Sequence, residues 1–301
     1  MGEFLQGCMI QNKLGYEELC APSLELGEGL HWDQFRQLLW FVDIYKKNLF
    51  YYEPEKKKLK KFIFDDLIGW VITNHDDNII LGLRNKIIKF NPEKNISEVV
   101  FSDILELPNL RLNDAKALNN GFILAGCMSI ENLMQPVGSL HLITGSKCSK
   151  IDEGYIVPNG PVVLENNLIL HTDSFKKTIY QIQLDPLGTR ILEKKIWKTF
   201  QVHQGNPDGM CIDIDKNIWI SFWGEGAVRK FSIRGELLNE VFFPEKYITN
   251  VCFGGKNLNK LFVTSAKNSN ESDQKKEKTF GSLYEIHGHN TFGGRVYFAK
   301  I

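Results

Sequence analysis

Long apolar runs are missing from these 301 residues: none approaches the about 18 residues that a helical membrane span needs. Neither sign of charge dominates, with Lys+Arg and Asp+Glu at 36 each. That balance argues against nucleic acid or an anionic membrane as a partner. The first residues have no basic segment followed by an apolar stretch, so a secretory leader is not expected. Leu5-Gln6-Gly7-Cys8 leaves no room for the hydrophobic segment of a lipoprotein signal, and after Gly2 a Gln6 stands where myristoylation wants Ser or Thr. Cysteine is sparse: Cys8, Cys20, Cys127, Cys148, Cys211 and Cys252 include no Cys-x-x-Cys pair, so a zinc knuckle is excluded. Cys127, Cys211 and Cys252 lie in apolar strand patterns, where cysteine acts as a small buried hydrophobe. Reduced thiols and a cytoplasmic location are the expectation. No segment sustains helical periodicity beyond two or three turns. No Gly-x-Ser-x-Gly elbow surrounds Ser129 or Ser174, which disfavours a serine nucleophile.

What is present is a repeat. A short apolar strand recurs as LLWFVDI from Leu38, NIILGL from Asn78, GFILAG from Gly121, NLILHT from Asn167, NIWISFW from Asn217 and KLFVTSA from Lys260. The copies start roughly 40 to 50 residues apart, a spacing typical of propeller blades. Turns rich in Asp, Asn and Gly precede the copies, and these residues tolerate the left-handed backbone of tight hairpins. Another apolar strand flanks each copy on either side. The pattern predicts an all-β fold, a six-bladed propeller of four-stranded blades in one domain spanning residues 1–301. The WD40 marks are absent. Ring closure is expected by pairing of N-terminal and C-terminal strands within one blade, with VYFAKI from Val296 also needing a partner. The KKKLKK run at Lys56–Lys61 reads as a solvated hairpin, and Asn268 to Lys278 as a polar loop between two strands of the last blade.

One position in each repeat carries the chemistry. About ten to twelve residues ahead of each strand centre stand Glu28, Trp70, Asn113, Asn159, Asp208 and Asn250. In a propeller, equivalent innermost positions face one channel. Two carboxylates with one or two amides make a hard oxygen site suited to Ca²⁺, Mg²⁺ or Mn²⁺. The alternative is that these residues cap turns on one face and bind only water. Trp32, Trp40, Trp70 and Trp219 read as core packing, while Trp223 and His171 are candidates for a pocket wall.

The motifs resemble those of the SMP-30/gluconolactonase/regucalcin-like family, from about Leu24 to Ala266. The resemblance rests on LGEGLHWD from Leu26, RLNDAK from Arg111, PNGP from Pro158, PDGMCID from Pro207, NIWISFWGEGAVRKF from Asn217 and TNVCFGGKNLNKLFVTSA from Thr249, in this order and spacing. It implies a six-bladed propeller with one divalent metal at its axis. By the family's motifs, Glu28, Asn159 and Asp208 would be the metal ligands; Arg111, Asn113 and Glu131 would contact substrate. Three positions depart from the pattern: Leu30 replaces a Pro, Ala115 a Gly and Cys127 a Thr. None of these removes a ligand.

The activity that the resemblance implies is hydrolysis of a sugar-acid lactone, a carboxylic-ester hydrolase reaction of the gluconolactonase type in carbohydrate metabolism. Its partner would be a small sugar lactone. Its cofactor would be Ca²⁺ first, with Zn²⁺, Mn²⁺, Mg²⁺ and Fe²⁺ as further candidates. Asp208 is the candidate general base. The rival readings are a non-catalytic divalent-metal-binding regulator, a phosphotriesterase-like propeller hydrolase and an interaction scaffold. A regulator needs the metal ligands alone; Arg111, Asn113 and Glu131 around them speak for an enzyme.

Overall fold

A computed structural model of the chain describes residues 13–267 and 281–301; the leader readings at Gly2 and Leu5–Cys8 and the loop reading over Asn268 to Lys278 fall outside them. Among the described residues twenty-four strands form six four-stranded antiparallel sheets. Blade 1 holds β2 (Gly27–Asp33), β3 (Leu38–Asp43), β4 (Asn48–Glu53) and β5 (Lys58–Ile63). Blade 2 holds β6 (Ile68–Thr73), β7 (Ile79–Leu83), β8 (Lys86–Asn91) and β9 (Ile96–Ser102). Blade 3 holds β10 (Leu110–Ala117), β11 (Ile123–Ser129), β12 (Gly138–Ile143) and β13 (Cys148–Tyr155). Blade 4 holds β14 (Pro158–Val163), β15 (Leu168–Asp173), β16 (Thr178–Leu184) and β17 (Ile191–Thr199). Blade 5 holds β18 (Asn206–Ile212), β19 (Ile218–Trp223), β20 (Ala227–Phe231) and β21 (Leu237–Phe242). Blade 6 joins β22 (Ile248–Gly254), β23 (Lys260–Ser265) and β24 (Leu283–His287) to β1 (Gly15–Cys20). Among the described residues helix is confined to three single 3₁₀ turns.

The first strand of each blade touches the first strand of the next, β2 through β22 and back to β2, so the fold is a six-bladed β-propeller around one axis. Burial follows this order: β2, β6 and β22 are buried at every residue, whereas the outermost β5, β9 and β21 are mostly exposed. The Lys56–Lys61 run ends up on the outer edge of blade 1 with its lysines exposed, where charge keeps another strand from adding to the sheet. Trp32, Trp40, Trp70 and Trp219 are all core residues. Trp40 donates its indole N–H to Asp33 and Trp219 to Asp213, the same device in blades 1 and 5.

Closure occurs as expected in blade 6, where β1 pairs antiparallel with β24, Gly15 opposite His287. The VYFAKI segment joins no blade. It crosses the far end of the axis. Gly293 and Gly294 donate to Leu258 and Ile212 of blades 6 and 5, while Ala299 and Lys300 donate to Thr73 and Gly121 of blades 2 and 3. The side chain of Asn74 brackets Ile301, donating to its carbonyl and accepting from its N–H.

Candidate functional site

The ladder between the first two strands is interrupted at the same place in every blade. In blade 3, Leu112 pairs with Cys127 and Ala115 with Ala125, so Asn113 and Asp114 together oppose Gly126. Blades 1, 4 and 5 repeat this two-against-one pairing at Gly29-Leu30, Gly160-Pro161 and Asp208-Gly209, and blades 2 and 6 insert Gly69 and Thr249. Such bulges bend a strand and re-aim its side chains. Gly29 and Gly160 take positive φ of 63° and 77° there, which glycine adopts without penalty. Gly209 serves another purpose: a Cβ at this position would lie 2.4 Å from Cγ of Asn250, so only glycine lets blade 6 bring that amide in.

The bulged strands open on a cavity of about 650 Å³ at one end of the axis. Glu28, Arg111, Asn113, Asn159 and Asp208 all line it, although each is at least 95% buried. A chain of hydrogen bonds ties blades 3 and 4 together. Arg111 Nη1 donates to Asn113 Oδ1 at 2.7 Å, Asn113 Nδ2 to Asn159 Oδ1 at 2.7 Å, and Asn159 Nδ2 to Ser174 Oγ at 2.9 Å. On the other side Asn250 Nδ2 donates to Glu28 Oε2 at 3.1 Å. Behind them Asp114 accepts from the N–H of Ala115 and, across to blade 4, of Gly160. The strand entrances are held from beneath: Asp43 accepts from the N–H groups of Glu25 and Leu26, and Asp173 from those of Ile156 and Val157.

Electrostatically this is a crowded acidic centre. Burial, followed by the Asp114 carboxylate, pushes the Glu28 carboxyl up to about 7. Burial and then Glu28 raise Asp208 well above the carboxylate range, and burial raises Asp114. Burial lowers the Arg111 guanidinium. Two buried acceptors have no hydrogen-bond donor, Asp208 Oδ1 and Asn250 Oδ1. Unpaired buried acceptors cost roughly 1–3 kcal/mol each, and buried carboxylates that raise one another's proton affinity are relieved by a cation. The oxygen set therefore fits a hard divalent ion. Among the described residues no cluster of three or more His, Cys, Asp or Glu side chains could hold a metal, so an ion here would need further oxygen, such as the Asn159 amide or water, beside the two carboxylates.

The six aligned positions fare unequally. Glu28, Asn113, Asn159 and Asp208 share the cavity, and Asn250 joins through Glu28. Trp70 belongs to the core, its ring filling the space that a Cβ on Gly82 would occupy. Glu131 lies in the exposed turn after β11 and is not on the cavity wall; Leu133, two residues on, is. His171 is likewise off the wall, buried with its ring centroid 5.2 Å from that of Tyr155. The three departures are harmless here. Ala115 is a paired strand residue without positive φ, Leu30 packs in the core, and Cys127 Sγ lies 3.0 Å from Ser139 Oγ. Tyr45, Phe175 and Tyr247 line the cavity without any sequence signal, because they sit in connections between strands where the repeat has no fixed position. Trp223 lines it as anticipated.

Residues 26–267 match the family described as SMP-30/Gluconolactonase/LRE-like region. The chain belongs to that family. Among its relatives, regucalcin of Xenopus laevis is 27% identical over 280 residues, 90% of this chain and 94% of the relative. The putative sugar lactone lactonase YvrE of Bacillus subtilis is 26% identical over 262 residues, 86% of this chain and 90% of the relative. A solved luciferin-regenerating enzyme superposes with a TM-score of 0.88 at 27% identity, covering 96% of this chain and all of that one. The bulged, acidic end of the propeller axis is thus the candidate site of an SMP-30/gluconolactonase-type protein.

Proposed function

We propose that the chain, read as one propeller domain over residues 1–301, is a metal-dependent hydrolase that opens the lactone ring of a sugar acid. The observation that carries this reading is the pair of donorless acceptors, Asp208 Oδ1 and Asn250 Oδ1, beside two buried carboxylates of raised proton affinity, Glu28 and Asp208, on the wall of a substrate-sized cavity. Glu28, Asn159 and Asp208 would hold the ion, with Ca²⁺ the first candidate and Zn²⁺, Mn²⁺, Mg²⁺ and Fe²⁺ the others. When bound, it would supply Lewis acidity toward the lactone carbonyl.

The chain's own residues do the rest. Asp208 would accept a proton from the attacking water, a role worth about 10²–10⁴-fold. Arg111, its Nη1 fixed by Leu112 O and Asn113 Oδ1 and its side chain also bonded to Tyr45, would donate to substrate oxygens. Addition of water at the carbonyl carbon and cleavage of the ring C–O bond return that proton to the leaving alkoxide, giving a hydroxy acid. The names of the regucalcin relatives support the alternative of a metal-binding regulator without catalysis. Against it stands the Arg111–Asn113 pair, which ion binding does not require. Five free thiols among the described cysteines support a cytoplasmic setting.

The test is direct. Protein stripped of metal and reloaded with each of the five ions is given five- and six-membered aldonolactones and a phosphotriester, and acid release is followed above the spontaneous rate. Lactone turnover with at least one ion is expected. Metal binding without turnover of any lactone would establish the regulator, and turnover of the phosphotriester alone the third reading.

A further inference from the structure

The closed end of the axis concentrates positive charge. A cavity of about 80 Å³ lies there, between the inner strands and the crossing segment. One water needs ~10–15 Å³ of such space, so there is room for several waters or for a small ion. Among the described residues its lining includes Lys116 and Arg295 and no Asp or Glu. Lys116 is half-buried, donates to Leu30 O at 3.1 Å and forms no ion pair among the described residues. Arg295 forms neither ion pair nor hydrogen bond among them, its guanidinium carbon lying 5.5 Å from the ring centroid of Tyr297. Asp114, which Lys116 stabilises, is outside the lining and accepts from the N–H groups of Ala115 and Gly160. Asp33, the acid that acts on His31, is engaged with Arg36 and Trp40. Burial pushes up the thiols of Cys211 and Cys252 in the lining, so neither supplies negative charge. Neutral donors there also lack acceptors. His31, only 5% exposed, accepts the Thr73 N–H on Nε2 at 3.1 Å. That leaves the ring proton on Nδ1, which has no partner among the described residues. Trp32, in the same lining, buries an indole N–H without an acceptor.

We propose that this end of the axis binds a small monovalent anion, a halide or a one- or two-carbon carboxylate, between Lys116 and His31 of the propeller and Arg295 of the crossing segment. Two cations and several acceptorless donors around one cavity call for an acceptor that also carries charge, and water is only the first of these. The ion would fasten the crossing segment as well. Thr73, whose N–H is held by His31, accepts through its carbonyl from the N–H of Ala299. The imidazole that meets the ion is thus one residue away from an anchor of that segment. An ion bound only by the folded chain stabilises it by mass action.

The experiment melts the full-length, metal-free protein in a buffer whose anion, a morpholine sulfonate, is too bulky for the cavity. Chloride, bromide, formate or acetate is added at constant ionic strength. At least one of the four should raise Tm saturably, by about 4 °C at a hundred times its Kd. With that ion bound, hydrogen exchange of the peptide over residues 288–301 should slow about five-fold or more, since its anchoring N–H groups open less often. Lys116→Met should lose the saturable rise, and Arg295→Gln should weaken the apparent affinity about five-fold or more. A carboxylate that acts at lower concentration than the halides identifies the ion as a carboxylate, and the reverse order as a halide. No saturable rise with any of the four, or the same rise in Lys116→Met as in wild type, would overturn the proposal and leave the cavity to water. Should Lys116→Met not fold, the exposed Arg295 decides alone, and unchanged affinity in Arg295→Gln rejects the site. No lactone or metal enters the measurement, so its outcome is independent of the lactonase reading.

Discussion

Asn250 donates from Nδ2 to Oε2 of Glu28 at 3.1 Å, a bond between residues 222 apart in sequence and across the joint between blades 6 and 1. It orients a candidate ligand carboxylate, while Asn250 Oδ1 is itself a buried acceptor in want of a positive partner. Groups that orient metal ligands typically govern about 10–100-fold in metal affinity. Asn250→Ala should weaken Ca²⁺ or Mn²⁺ binding by about that factor in calorimetric titration, with the circular dichroism spectrum unchanged.

Charge at the acidic centre should trade stability for metal. Glu28 and Asp208 are both buried; Asp114 raises the cost of ionising each, and Glu28 raises that of Asp208. Glu28→Gln and Asp208→Asn should abolish lactone hydrolysis and the stabilisation that added metal confers. In the metal-free protein the same substitutions should raise Tm by a few degrees, because a buried, poorly compensated charge is removed. Differential scanning calorimetry with and without metal reads both effects, and a fall in metal-free Tm would contradict the account.

The pH dependence of the metal-free protein follows from Glu28. Its folded carboxyl titrates at about 7 against 4.5 for the ordinary group, so the folded state holds a proton that the unfolded state has released. Stability from this group is therefore complete below about 4.5 and is lost as pH rises through about 7. Metal-free wild type should melt at a lower temperature at pH 8 than at pH 6, and Glu28→Gln should flatten that slope. With saturating metal the sign reverses, since the ion binds the carboxylate form.

Arg111 and Asn113 should separate chemistry from metal binding. Arg111→Ala removes a charged donor to substrate, worth about 1.5–3 kcal/mol, or up to roughly a hundred-fold in kcat/KM. Asn113→Ala should cost about ten-fold on the same scale for a neutral bond. Metal affinity should hold or rise slightly in Arg111→Ala, because a cation beside Glu28 and Asp208 has gone. Parallel kinetics and metal titrations test the pair.

The blades and their inner row were readable because a propeller writes its architecture as a repeat. One offset from the LLWFVDI-like strand found Glu28, Asn113, Asn159, Asp208 and Asn250 together. That offset works because all six first strands bulge within one residue of the aligned position, a fact of register that spacing contains without displaying. Residues outside the repeat were harder to place. Glu131, Tyr45, Phe175 and Tyr247 depend on how each connection turns, and only the folded chain shows that Glu131 leaves the wall while the three aromatics join it. VYFAKI looked like a strand in search of a sheet; its hydrogen bonds go instead to the inner ends of blades 2 and 3, while Gly293 and Gly294 just ahead of it bond to blades 6 and 5.

That crossing segment bears on traffic through the molecule. Where Gly294 to Tyr297 lie over the axis, only a void of about 80 Å³ remains between them and the inner strands, too little for a sugar acid to pass. The propeller is thus a cup rather than a tube, and arrivals and departures use one doorway. A hydroxy acid formed at the floor must back out along the route its parent lactone took, so until it leaves, the next molecule waits outside, and accumulated product should inhibit competitively.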